Sequence, residues 1–205
     1  MSEYTTTVRP YRVVEQAAPT VEPVTAAEAK LHLRIDHADE DTYIGTLISA
    51  ARRWCEAYTR RAFITRSHIL YLDCFTNEIR LPLGRTSSVT NVKYLAVDDS
   101  FPTLTTVSSS IYYTDIYSEP ARLSIAYGNV WPTPRTDVPN TVQVTYVPGY
   151  GSAATNVPET IKQAILLLVA NLYEFREPSV TGTIVAKVEF TLQALLNPHR
   201  VLEFI

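Results

Sequence analysis

Four carboxylates, Asp36, Asp39, Glu40 and Asp41, stand close together in the sequence. Carboxylates so near one another could share a divalent cation or divide acid and base roles between them. The stretch lacks the glycine and closing glutamate of an EF-hand loop at the right spacing. It also lies just before an apolar repeat, where negative charge favours a helix start, so capping by Asp39 accounts for it without a metal. Gly149-Tyr150-Gly151 precedes a helical segment. It has no third glycine, no Lys-Ser/Thr pair and no βαβ context, so it reads as a turn and not a phosphate loop. Cys55 and Cys74 form no CxxC pair, and His32, His37, His68 and His199 have no zinc-ligand spacing. No GxSxG, HExxH or Cys/His nucleophile pattern occurs. The residues therefore point to no catalytic site, no metal and no cofactor, and the cysteines read as reduced thiols suited to assembly in a reducing cytoplasm.

The elements that would position these residues follow from periodicity. Thr25 and Glu28 have the spacing of a capping box and predict a short helix over Thr25–Leu33. Ile44, Leu47, Ile48, Ala51, Cys55 and Tyr58 recur at three- and four-residue steps, which predicts a helix over Asp39–Arg60, roughly 30 Å long. Arg52, Arg53, Arg60 and Arg61 fall near its C-terminal end, as a solvated face complementing the helix dipole. From Ala62 to Gly151 the period shortens to two. His68–Asp73, Glu78–Leu83, Ser88–Val97, Ala121–Tyr127 and Thr141–Val147 predict a β module of about five to seven strands. Its tyrosines and Trp131 are expected mainly in the core, the remainder at subunit contacts.

Helical character returns at Pro158, with Ile161, Ala164, Ile165, Leu168, Leu172 and Phe175 in one stripe and Leu166, Leu167, Val169 and Tyr173 widening it. A helix apolar over so much of its circumference must be covered on more than one side. It is either the centre of the bundle or a contact between subunits. A loop over Glu177–Val188 and a short helix over Thr191–Leu196, ended by Pro198, complete this half. The ending Arg200, Val201, Leu202, Glu203, Phe204 and Ile205 is too apolar to stay free. The fold class is α+β: about four helices, with a β-rich module inserted between the second and third. The expected domains are an N-terminal arm (1–23), a helical domain (24–61 and 156–198), the β module (62–151) and a tail (199–205). The arm is expected to be extended or disordered until it packs on a neighbour.

The chain has 205 residues, 46% of them apolar and 19% charged, which is ordinary for a globular protein. Its formal charge of -3 argues against tight DNA binding, which calls for a Lys/Arg surplus. Met1–Pro19 does not read as a signal peptide, and the longest apolar run, Ala164–Ala170, is too short to span a membrane.

Pro23 to Ile64, PVTAAEAKLHLRIDHADEDTYIGTLISAARRWCEAYTRRAFI, resembles the opening of tailed-phage head–tail connector (adaptor) proteins, a family that includes gene transfer agent adaptors. The shared features are the Pro-Val-Thr start, the E-A-K helix, the L-R-I-D step, the acidic cap and a long helix ending in Tyr-Thr-Arg-Arg. SEPARLSIAYGNVWPTPR (118–135), TVQVTYVPGYG (141–151) and VPETIKQAILLLVANLYEFRE (157–177) resemble the larger members in the same order. The resemblance implies a non-enzymatic ring of about twelve copies beneath the portal protein. It further implies a stopper or tail-completion protein on the other face, double-stranded DNA passing through the lumen without specific binding, and no membrane. The tail Arg200–Ile205 would dock on the portal. The alternative is a tail-completion, terminator or baseplate ring protein; a glycan-binding module or a small hydrolase is a more distant rival.

Overall fold

The computed structural model describes residues 11–175 and 185–202, with the backbone alone over 185–189. They form two compact units. One is built on residues 19–65, 149–175 and 185–201, the other on residues 11–18, 66–148 and 202. The fold is α+β, with four helices and two sheets, and the β-rich region lies between the second and third helices.

The helical unit holds α1 (Ala26–Leu33), α2 (Asp41–Thr59), α3 (Glu159–Glu174) and α4 (Val185–Leu196). The capping box at α1 is present: the Thr25 hydroxyl accepts the Glu28 amide at 3.1 Å, and Glu28 accepts the Thr25 amide at 2.7 Å. These bonds, that of the backbone first, hold the Glu28 carboxyl below its usual range. The stripe expected on α2 is buried: Ile44, Leu47, Ile48, Ala51 and Cys55 pack with Ile161, Ala164, Ile165 and Val169 of α3. Burial of such side chains contributes on the order of 2 kcal/mol each, which holds together helices too short to be stable alone.

Two boundaries differ from the sequence reading. Asp39 does not cap α2; Glu40 holds the cap position and the helix begins at Asp41. Asp41 is drawn to Lys30 of α1, 2.8 Å away, and Glu40 accepts a hydrogen bond from the Tyr173 hydroxyl of α3. Tertiary partners thus fixed the start that local capping was expected to set. α4 begins at Val185, inside the stretch expected to be loop, and is longer than the predicted Thr191–Leu196. No glycine or proline interrupts 185–196, so nothing local stops the helix earlier.

The β unit holds β1 (Tyr11–Glu15), β2 (His68–Leu72), β3 (Glu78–Leu81), β4 (Thr86–Tyr94), β5 (Thr105–Thr106), β6 (Tyr112–Asp115), β7 (Ala121–Ile125) and β8 (Val142–Pro148). One antiparallel sheet has the order β1-β2-β8-β4-β5, the other β3-β7-β6. Leu70, Val92, Val144 and Tyr146 of the first meet Ile79, Leu81, Ala121 and Leu123 of the second in one apolar core. β8 shows why period two appears in the sequence: Val142, Val144 and Tyr146 are buried, the latter two in that core, and Gln143 and Thr145 between them are only half-buried. The stretch expected to be an arm instead supplies β1, which pairs with β2 from Tyr11↔Leu72 to Glu15↔His68. Glu15 is fastened to Arg66 at 2.6 Å. The edge of β2 supplies what a polar segment with little hydrophobic pattern cannot provide for itself.

Candidate assembly surfaces

Among the described residues, no three His, Cys, Asp or Glu side chains converge to hold a metal. None of the described helices is long and apolar enough to cross a membrane. The carboxylates of the acidic run are spread out: Glu40 bonds Tyr173, Asp41 bonds Lys30, and the exposed Asp39 lies 3.7 Å from His37. His68 is a core histidine, with its Nδ1 3.1 Å from the Arg66 carbonyl. Gly149-Tyr150-Gly151 is a turn locked to the strand-like stretch after α2. The Tyr150 amide donates to the Phe63 carbonyl at 3.1 Å, and the Thr65 amide to the Gly151 carbonyl at 2.9 Å.

Arg52 departs most from its expected place. It lies on the buried face of α2 at 2% exposure, not on a solvated one. Its Nε donates to Glu22 and its Nη1 to Glu56, each at 2.7 Å. Burial opposes its charge, but the hydrogen bonds and charges of these two carboxylates outweigh burial and raise its pKa. The other oxygen of Glu56 accepts the Phe63 amide at 2.9 Å. One buried network therefore holds the segment before α1, the helix α2 and the chain beyond it.

The apolar face of α3 is only partly covered within its own unit. Val169 is fully buried, whereas Leu166, Leu167, Leu168 and Leu172 are half-buried at the margin of the core. Tyr173 is half-buried too, tilted against Tyr43 with ring centroids 6.3 Å apart. The β unit divides its aromatics. Trp131 stacks on Phe75 with centroids 4.8 Å apart and on Tyr112 at 5.8 Å, whereas Tyr113, Tyr117 and Tyr127 are exposed.

The end of the helical unit is fixed at many points. The Val201 amide donates to the Thr59 carbonyl at 2.9 Å, and Arg61 Nε donates to the His199 carbonyl. The Tyr58 hydroxyl donates to Asn197 Oδ1 at 2.7 Å, and the Thr160 hydroxyl lies 2.7 Å from His199 Nε2. Tyr58 stacks on Trp54 with centroids 5.4 Å apart, and the Arg200 guanidinium lies 5.5 Å from the Tyr58 ring centre. Val201 and Leu196 are buried, and Leu202 is exposed. Of the residues expected to dock, Arg200 and Val201 are thus held by the chain itself; Glu203, Phe204 and Ile205 lie outside the described residues. Sequence reasoning missed Glu22, Glu56, Arg61, Thr160, Asn197 and His199 as structural partners. The only signal was the crowding of arginines at the end of α2, and Arg61 finds its partner, His199, 138 positions away.

The chain is thus α+β, with a β-rich region between the second and third helices. Residues 24–100 match the family described as Phage gp6-like head-tail connector protein. That family is one of structural connectors and not of enzymes. No curated protein matches the sequence. The fold is similar to that of a chain in the neck of an empty GTA particle computed with C6 symmetry. There the TM-score is 0.78 at 21% identity, covering 95% of this chain and 97% of that one. A chain in the virion of a native gene transfer agent particle gives 0.76 at 23% identity, covering 94% and 97%. One in the neck of a native GTA particle computed with C12 symmetry gives 0.70 at 22%, covering 95% and 97%.

Proposed function

We propose that this chain is a head–tail connector, working as one copy of a closed ring in the neck of a tailed-phage or gene-transfer-agent particle and docked on the portal by the segment that follows Val201. The observation that carries this reading is the likeness over 95% of the chain to a GTA neck protein, joined to the connector sequence of residues 24–100. Closed rings use heterologous interfaces, in which one face of a subunit meets a different face of the next. The half-buried Leu166, Leu167, Leu168 and Leu172 of α3 supply an apolar strip for such a contact. Tyr173 borders that strip; Val169 serves the subunit's own core.

The apolar Leu202, Phe204 and Ile205 give the docking segment its affinity for a groove on the portal. The opposite face of the ring receives a stopper or tail-completion protein. A net charge of -3 leaves little to grip phosphates, so double-stranded DNA crosses the lumen without being held. The work of the protein is assembly, and its energy is that of surfaces buried between copies.

The test is a chain truncated after Val201, added to portal-bearing heads that lack the protein. The truncated chain is expected to fold and to leave the heads without connector or tail. Tailed particles at the level given by the full chain would overturn the docking role.

A further inference from the structure

The two ends of α2 carry opposite charge. Residues 52–61 hold four arginines and one carboxylate, Glu56, which is buried against Arg52. Arg53 and Arg60 are exposed, as is Arg200 of the segment that returns to this end. The Arg200 guanidinium lies over Tyr58, which stacks on the exposed Trp54. At the other end, residues 34–41 hold four carboxylates and one arginine. Glu40 and Asp41 are engaged by Tyr173 and Lys30, whereas Asp36 and Asp39 are exposed. Among the described residues neither Arg53 nor Arg200 has a carboxylate partner, and neither Asp36 nor Asp39 a lysine or arginine. The helix dipole favours this distribution of charge but leaves its outward side unneutralised. α2 has 19 residues, so its ends lie about 28 Å apart, roughly three Debye lengths at physiological salt. Charges at one end therefore cannot neutralise those at the other within one copy.

We propose that the basic end of α2 in one copy meets the acidic end of α2 in a second copy, as a head-to-tail contact between subunits. The inference rests on the ring reading above and names the surfaces that join its members. A closed ring needs two different, complementary patches on each subunit, and α2 carries such a pair. Arg53 and Arg200 supply the cations, Asp36 and Asp39 the carboxylates. Exposed ion pairs add little affinity each; they set which surfaces meet and in which direction. Trp54 at the basic end, and Leu31 exposed near the end of α1 before the acidic stretch, add apolar area. A nucleic acid would use the arginines alone, whereas a second copy uses both ends.

Sedimentation velocity of the full chain reads the contact. The natural chain is expected to associate beyond a dimer at about 20 mM salt and to disperse at about 1 M, where exposed charges are screened. Two variants each reverse one end: Arg53→Glu with Arg200→Glu, and Asp36→Lys with Asp39→Lys. Either alone is expected to associate at least about tenfold more weakly, with its circular dichroism unchanged. An equal mixture of the two should recover association, because each then meets an opposite end. Association of either variant at the natural level would overturn the contact and leave the ring reading intact. A mixture that stays dispersed would overturn the pairing of the two ends. Retardation of double-stranded DNA by the natural chain, and not by the arginine variant, would assign the basic end to phosphates instead. A natural chain that stops at a dimer would overturn the head-to-tail direction. One that stays monomeric at low salt would overturn the contact, while tailed particles formed with it would keep the ring reading.

Discussion

Arg52 and Glu56 stand one turn apart on α2 and meet at 2.7 Å inside the core of the helical unit, where Arg52 is 2% exposed. An ion pair in that position adds little over a well-packed apolar pair, because both charges have lost their water. Removing one partner is another matter. Arg52→Ala takes the guanidinium from the buried Glu56 and releases Glu22.

Arg52→Ala is therefore expected to lower stability by about 3 kcal/mol, the usual cost of removing one partner of a buried ion pair. Glu22→Gln, at a carboxylate 30% exposed, should cost clearly less. Urea unfolding of the three chains measures both, and an equal loss in the two variants would count against the buried network.

Gly149 has φ +134, and a Cβ built there would lie 2.7 Å from the Thr65 amide nitrogen and 2.8 Å from its Cα. Backbone cannot yield as the tip of a side chain can. Gly149→Ala is expected to cost about 2 kcal/mol, seen as a lower thermal midpoint. Gly128→Ala, at φ +78 but in open space, should cost less.

Cys55 is fully buried, and burial, followed by the Glu56 charge, pushes its thiol up to about 12. The thiolate is the reactive form. At pH 8 an alkylating reagent should leave Cys55 unmodified in the folded chain and modify it once denaturant is added. Mass spectrometry of the peptide containing Cys55 distinguishes the two states.

Asp115 accepts the Ser118 hydroxyl at 2.6 Å and the Ser118 amide at 3.1 Å, and pairs with Arg122 at 3.0 Å. These partners, the Ser118 hydroxyl first, lower its pKa from 3.8 to about 2. A carboxyl whose pKa falls on folding contributes stability that is complete above its unfolded value and is lost as pH falls through the folded one. Asp115→Asn should thus be less stable than the natural chain at pH 7. The gap should narrow between pH 3.8 and about 2. Thermal midpoints of both proteins across that window provide the check.

The sequence by itself determined what repeats locally. The three- and four-residue spacing from Ile44 to Cys55, the Thr25–Glu28 box and the alternation along β8 each place side chains on a fixed side of an element, so they predict its type and buried face. The connector resemblance of Pro23–Ile64 was legible for the same reason, since residues 24–100 carry the family's pattern in one run.

What only the tertiary structure decided are relationships between distant residues. β1 exists because β2 offers an edge, and α2 starts at Asp41 because Lys30 and Tyr173 claim the carboxylates there. Arg52 is buried because Glu22, thirty positions earlier, meets it with Glu56. Val201 is pinned because Thr59 and Arg61 lie where the chain returns. A charged or polar side chain carries no periodic mark of its partner. Whether it faces water or a carboxylate in the core is settled by which elements meet, and that depends on the packing of the whole unit.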